Sequence, residues 1–146
     1  MTPSKPPPPG ADVVFLDGTC IMCSRIAAFI AAFDTDERFY FSHLQGGFAR
    51  SALPRHLPDG IDLDAIYLLT NVGTPDEALY ADGLAGRRIW PALFRIAFVL
   101  RFVPLPILNF FYWLGARTRF WLFGRFDRCT VPSERVRSRF VDVAAQ

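Results

Sequence analysis

The chain has 146 residues, a formal net charge of +2 and three cysteines, and it is 51% hydrophobic, 15% aromatic and 21% charged. That length suits a single domain. The aromatic content excludes a disordered chain, three cysteines cannot staple a disulfide miniprotein, and so small a basic excess argues against nucleic acid as a partner.

Residues 1–11 (MTPSKPPPPGA) form a Pro-rich tail expected to be disordered, because four consecutive prolines favour polyproline II and bury nothing. No apolar h-region follows the start, so a cytoplasmic location is expected. There, a cysteine pair is more often redox-active or metal-binding than structural. Val13–Val14–Phe15–Leu16 is a short apolar run ending at Asp17–Gly18 and predicts a buried strand. Residues 21–33 (IMCSRIAAFIAAF) predict a helix, with Ile26, Phe29, Ile30 and Phe33 on one face. Residues 38–43 predict a second strand and residues 46–56 a short helix. Residues 65–70 predict a third strand, and Glu77–Ala78–Leu79–Tyr80 a returning one. From Asp82 to Phe126 the pattern is helical and apolar, broken at Pro91, Pro104 and Pro106.

This order of elements predicts an α/β fold with a small sheet flanked by helices, as in thioredoxin-like domains, extended by an apolar C-terminal helical region. The expected domain spans residues 12–128, and residues 129–146 read as a polar tail.

The sharpest chemical feature is Asp17–Gly18–Thr19–Cys20–Ile21–Met22–Cys23, between a predicted strand and a predicted helix. A helix N-terminus favours an anion, so Cys20 is the candidate attacking thiolate. Cys23, nearly one turn on, is the candidate resolving thiol. A redox pair needs both thiols within reach of a substrate. Two other readings stand beside it. A zinc site would have only His43, His56 and Cys129 to complete four ligands. A structural reading makes the cysteines small buried apolar residues.

The stretch VVFLDGTCIMC resembles the opening of the DCC family, described as thiol-disulfide oxidoreductases and named for an Asp and two Cys in a D-G-x-C-x-x-C motif. Asp17, Gly18, Cys20 and Cys23 match it. The resemblance extends from about Val13 to Arg128, where Arg117, Arg119 and Gly124 fit an R-x-R-x-x-x-x-G ending. It implies a thioredoxin-like fold and exchange of a Cys20–Cys23 dithiol/disulfide with a protein disulfide or small thiol, with Asp17 in the site and no metal or organic cofactor. Ile21 and Met22 stand where related proteins often carry Pro and an aromatic, and no proline immediately precedes the predicted strand at Ala65.

Asp17 has two readings: a proton acceptor for exchange, or a turn residue bonding the backbone ahead of Gly18. Thr19 is a candidate helix cap. Arg25 reads as a solvated helix residue, His43 and His56 as surface or packing residues, and Cys129 as a free thiol. Residues 89–123 lack the uninterrupted apolar run of a spanning helix. They are expected to pack on the sheet, with peripheral membrane contact through their aromatics as the alternative. A non-catalytic interaction module built on these helices is the corresponding alternative function.

Overall fold

The computed structural model describes residues 6–93, 102–124 and 134–142. Its sheet is built from β1 (Asp12–Leu16), β2 (Phe39–His43), β3 (Tyr67–Thr70), β4 (Ala78–Ala81) and β5 (Phe140–Asp142), in the order β4-β3-β1-β2-β5. β1 is central. It runs parallel to β2, with Val14 opposite Phe41, and antiparallel to β3, with Val14 opposite Leu68. β4 pairs antiparallel with β3, and β5 parallel with β2. A parallel β1–β2 pair beside an antiparallel β3–β4 hairpin is the thioredoxin-like arrangement expected from the element order.

β1 is apolar throughout after Asp12 because both sheet faces are covered. Val14 and Leu16 pack on one side with α1 (Ile21–Phe33) and α3 (Asp82–Leu93). Val13 and Phe15 pack on the other with α2 (Gly47–Ala52) and the 3-10 turn Leu53–Arg55. The predicted buried stripe of α1 is corrected. Its buried residues include Cys23, Ala27, Ile30 and Ala31, whereas Phe29 and Phe33 are exposed and pack on each other as tilted rings at 4.7 Å. Small alanines let the helix backbone approach the sheet, and the two bulky rings turn outward.

Three further expectations change. The Pro-rich tail is hydrogen-bonded at its end, where the Gly10 N–H donates to the Val72 carbonyl (2.9 Å) and the Val72 N–H to the Ala11 carbonyl (3.0 Å). The polar tail expected from residue 129 is corrected over residues 134–142, which supply α5 (Glu134–Arg137) and β5. Val136, Phe140 and Val141, interleaved with the arginines, are buried there. Arg139 locks this segment to the end of α1, donating to the Asp34 carboxylate (2.8 Å) and carbonyl (2.9 Å). Pro91 does not break α3, which continues to Leu93. Pro104 and Pro106 instead open α4 (Leu105–Phe123), where the first-turn N–H groups have no intrahelical partner to lose.

The expected packing of the C-terminal helices on the sheet is corrected for α4. Arg119 is its one buried residue. Trp121 is 86% exposed, and Phe110, Phe111, Trp113 and Leu122 also face outward. Among the described residues, no helix is long and apolar enough to cross a membrane.

Candidate active site

The D-G-x-C-x-x-C segment leaves the carboxyl end of β1 and enters α1. Asp17 sets the turn. Its Oδ1 accepts from the Thr19 N–H (2.9 Å), the Thr19 hydroxyl (2.8 Å) and the Gln45 side-chain amide (2.8 Å). Gln45 returns its own oxygen to the Gly18 N–H at 3.1 Å. Thr19 therefore spends its hydroxyl on Asp17, and the expected threonine cap is not formed. Cys20 is the cap: its backbone is extended and its Sγ accepts the Cys23 N–H at 3.3 Å. A sulfur in the N-cap position takes the place usually filled by a Ser, Thr or Asp oxygen, where the unpaired N–H groups favour negative charge.

The Cys20 thiol is accordingly lowered from an ordinary value near 9 to about 6. The main cause is the Cys23 thiol, which donates to it. Burial opposes this shift, while the Cys23 N–H and the Arg119 guanidinium reinforce it. Cys23 is pushed strongly upward by giving its proton to Cys20, by burial and by the Cys20 charge. The two cysteines thus divide into one thiolate and one thiol, and neither is in a disulfide.

Arg119 reaches into this site from α4. It is 1% exposed, with Nη1 3.8 Å from Cys23 Sγ, and Nη2 2.7 Å from Asp64 Oδ1 and 3.6 Å from Asp17 Oδ2. Burial alone would lower its pKa, but the two cysteines and two carboxylates more than offset this. Asp64 comes from the segment leading into β3, and its carbonyl also accepts the Tyr112 hydroxyl at 3.1 Å. Gly124 ends α4 at φ +79, and a Cβ there would meet Ile21 Cδ1 at 3.5 Å. The last turns of α4 therefore close over the cysteine pair. Neither Cys20 nor Cys23 has exposed surface (0% each). The access that a redox pair needs is therefore closed in this conformation.

A family model of the DCC1-like thiol-disulfide oxidoreductases matches residues 14–125. The chain belongs to that family. Among curated relatives of this DCC1-like protein, the uncharacterized protein YuxK of Bacillus subtilis is 29% identical over 133 residues, covering 88% of this chain and 93% of its own. A chloroplastic DCC family protein of Arabidopsis thaliana is 28% identical over 123 residues, covering 80% of this chain and 67% of its own. No solved structure gives a significant match.

Within this family member, Asp17, Cys20 and Cys23 meet at one turn, as their spacing predicts. Arg25 is exposed. His43 packs edge-on against Phe140, and His56 pairs with Glu77 at 2.9 Å. Cys129 lies outside the described residues. Among the described residues, no three His, Cys, Asp or Glu side chains gather as a metal site, so the zinc reading finds no ligand set there. Sequence reasoning assigned no role to Arg119, Asp64, Gln45 or Tyr112. Arg119 did carry a signal, as an arginine within an apolar helix that has no acidic residue.

The charge division is directly measurable. In the reduced protein, thiolate ultraviolet absorbance is expected to rise with one midpoint near pH 6. Cys20→Ser should abolish that midpoint, and Cys23→Ser should move it upward. Because the folded value lies below that of a free thiol, the stability this charge contributes is complete above the free-thiol pKa and lost as pH falls through about 6.

Proposed function

We propose that the protein is a thiol-disulfide oxidoreductase in which Cys20 attacks and Cys23 resolves. The observation that carries this reading is the Cys20 sulfur seated as the cap of α1, accepting the Cys23 N–H at 3.3 Å. The Cys20 thiolate attacks one sulfur of a substrate disulfide, forming a mixed disulfide and expelling the other half as a thiolate, which takes a proton from water. Cys23 then loses its proton to the second departing thiolate and attacks the Cys20 sulfur. The products are a Cys20–Cys23 disulfide and two substrate thiols. Once Cys20 is in the mixed disulfide, its charge and its hydrogen bond no longer hold the Cys23 proton. Arg119, still beside Cys23, then favours the second thiolate. Asp17 acts here through geometry, fixing the turn and facing Arg119.

Because both sulfurs are covered, exchange requires the end of α4 to move aside. The substrate is a protein disulfide or a small disulfide. The test is thiol trapping across a glutathione redox series, with mass spectrometry to locate the bond. A reversible Cys20–Cys23 disulfide is expected. Thiols that stay unoxidised and unalkylated in the native protein throughout the series would refute the proposal.

The outward face of α4 supports a second role, peripheral attachment to a bilayer surface. α4 has no acidic residue, and Arg117 lies over the Trp113 ring at 4.9 Å. Exposed aromatics with arginine are the composition of an interfacial helix. Co-flotation with vesicles containing anionic lipid is expected, and Trp121→Ser/Leu122→Ser should weaken it several-fold. A protein that remains wholly unbound in flotation would rule this role out.

A further inference from the structure

Between α1, α3, α4 and the sheet lies a cavity of about 190 Å3 whose walls are mostly apolar, including Met22, Ile26, Ile66 and Ile89. Three polar side chains interrupt that lining, Asp82, Arg119 and Tyr112, and the Tyr112 hydroxyl is already committed to the Asp64 carbonyl. Among the described residues, Asp82 Oδ1 and Arg119 Nε are the two buried side-chain atoms without a hydrogen-bond partner. Buried polar groups are rarely left unpaired, and two that belong to side chains lining one cavity call for a common explanation. Asp82 is also held at φ +49, in the left-handed region, at the junction of β4 and α3. Such strain concentrates at ligand-binding and catalytic positions. A cavity of about 150 Å3 is large enough for benzene.

We propose that this cavity binds a neutral, one-ring molecule carrying both a hydrogen-bond donor and an acceptor, of which a primary aromatic amide is the simplest example. The ring fills the apolar part, and a small turn of the two side chains lets the acceptor take the Arg119 Nε–H and the donor engage Asp82 Oδ1. The ligand lies one guanidinium away from the thiols, since Arg119 Nη1 is 3.8 Å from Cys23 Sγ. The proposal does not depend on the redox reading, because no sulfur takes part in binding.

Benzamide is the probe and toluene the apolar control, each titrated into the reduced protein while amide NMR signals of Gly86, Gly115 and Ala116 are followed. Benzamide is expected to shift these signals saturably and to bind at least tenfold more tightly than toluene. Gly115 supplies the second arm: it lines the cavity, and a Cβ added there meets no atom within 4 Å. Gly115→Leu should fill the space and weaken benzamide at least tenfold while far-ultraviolet circular dichroism is unchanged. Asp82→Ala should reduce benzamide affinity to that of toluene and leave toluene unaffected. The proposal is overturned if benzamide gives no saturable shift, if toluene binds equally well, or if Gly115→Leu leaves benzamide affinity unchanged.

Discussion

Cys20→Ser is expected to reduce disulfide exchange to the uncatalysed level, whereas Cys23→Ser should form a mixed disulfide with substrate and stop there. The two variants differ because the roles differ. Cys20 is the sulfur with the lowered pKa, and Cys23 is the one whose proton is held. A thiol of pKa about 6 is about 90% ionised at pH 7, against about 1% for one near 9. That enrichment of about 90-fold is mostly cancelled, because nucleophilicity falls with basicity. A Brønsted slope of about 0.45 over three units costs about 20-fold. The net gain in attack is only about fourfold. The larger consequence concerns the leaving group, since a low-pKa sulfur is expelled readily and its reduced form is stabilised. At pH 7 that stabilisation is on the order of 1 kcal/mol, a few tens of millivolts for a two-electron couple. Cys20 therefore favours the dithiol, so the Cys20–Cys23 disulfide accepts electrons more readily than one between ordinary thiols. Mass spectrometry of quenched reactions checks both variants. Absence of any mixed disulfide in Cys23→Ser, under conditions where the wild type turns over, would reverse or remove the assigned roles.

How much of this was legible in the sequence depended on whether the signal was local. β1 announced itself because a strand covered on both faces is continuously apolar. The D-G-x-C-x-x-C turn announced itself because strand, turn and helix are neighbours in the chain. The helix forecast over residues 21–33 matches α1. Its buried face was misread because hydrophobicity alone favours Phe29 and Phe33, whereas close approach to the sheet favours Ala27 and Ala31. β5 was missed because the arginines at 135, 137 and 139 masked a buried set formed by Val136, Phe140 and Val141. The cap went to Cys20 instead of Thr19 because Asp17, itself tied to Gln45, captures the threonine hydroxyl. Arg119 lies 96 residues from Cys23. No period or short motif reports a contact across that distance, although the R-x-R-x-x-x-x-G ending marks the residues. Arg119 reaches the sulfur, and Gly124 lets the helix stop against Ile21.

Arg119→Met is expected to be the most damaging single change away from the cysteines, and its partners show why. The shortest of its ion pairs, to Asp64 at 2.7 Å, is not the strongest contributor. The Asp64 side chain is 72% exposed, so water screens the pair. Asp64→Asn should therefore cost less than about 1 kcal/mol. Asp17 is 3.6 Å away, beyond a good hydrogen bond, but its side chain and that of Arg119 are both buried. Loss of the guanidinium leaves the Asp17 carboxylate and the Cys20 thiolate buried with no cation beside them. Removing one partner from a buried ionic cluster typically costs about 3–5 kcal/mol. Arg119→Met should lower stability by about that amount in denaturant unfolding and should raise the Cys20 midpoint. Arg119→Lys separates charge from shape. It keeps the cation, so the Cys20 midpoint should stay near 6. It cannot span Cys23, Asp17 and Asp64 with one planar fork, so part of the stability should still be lost. If Arg119→Met left both the thiolate midpoint and the unfolding free energy at wild-type values, the cation would have no electrostatic part in the site. α4 would then cover the cysteines by packing alone.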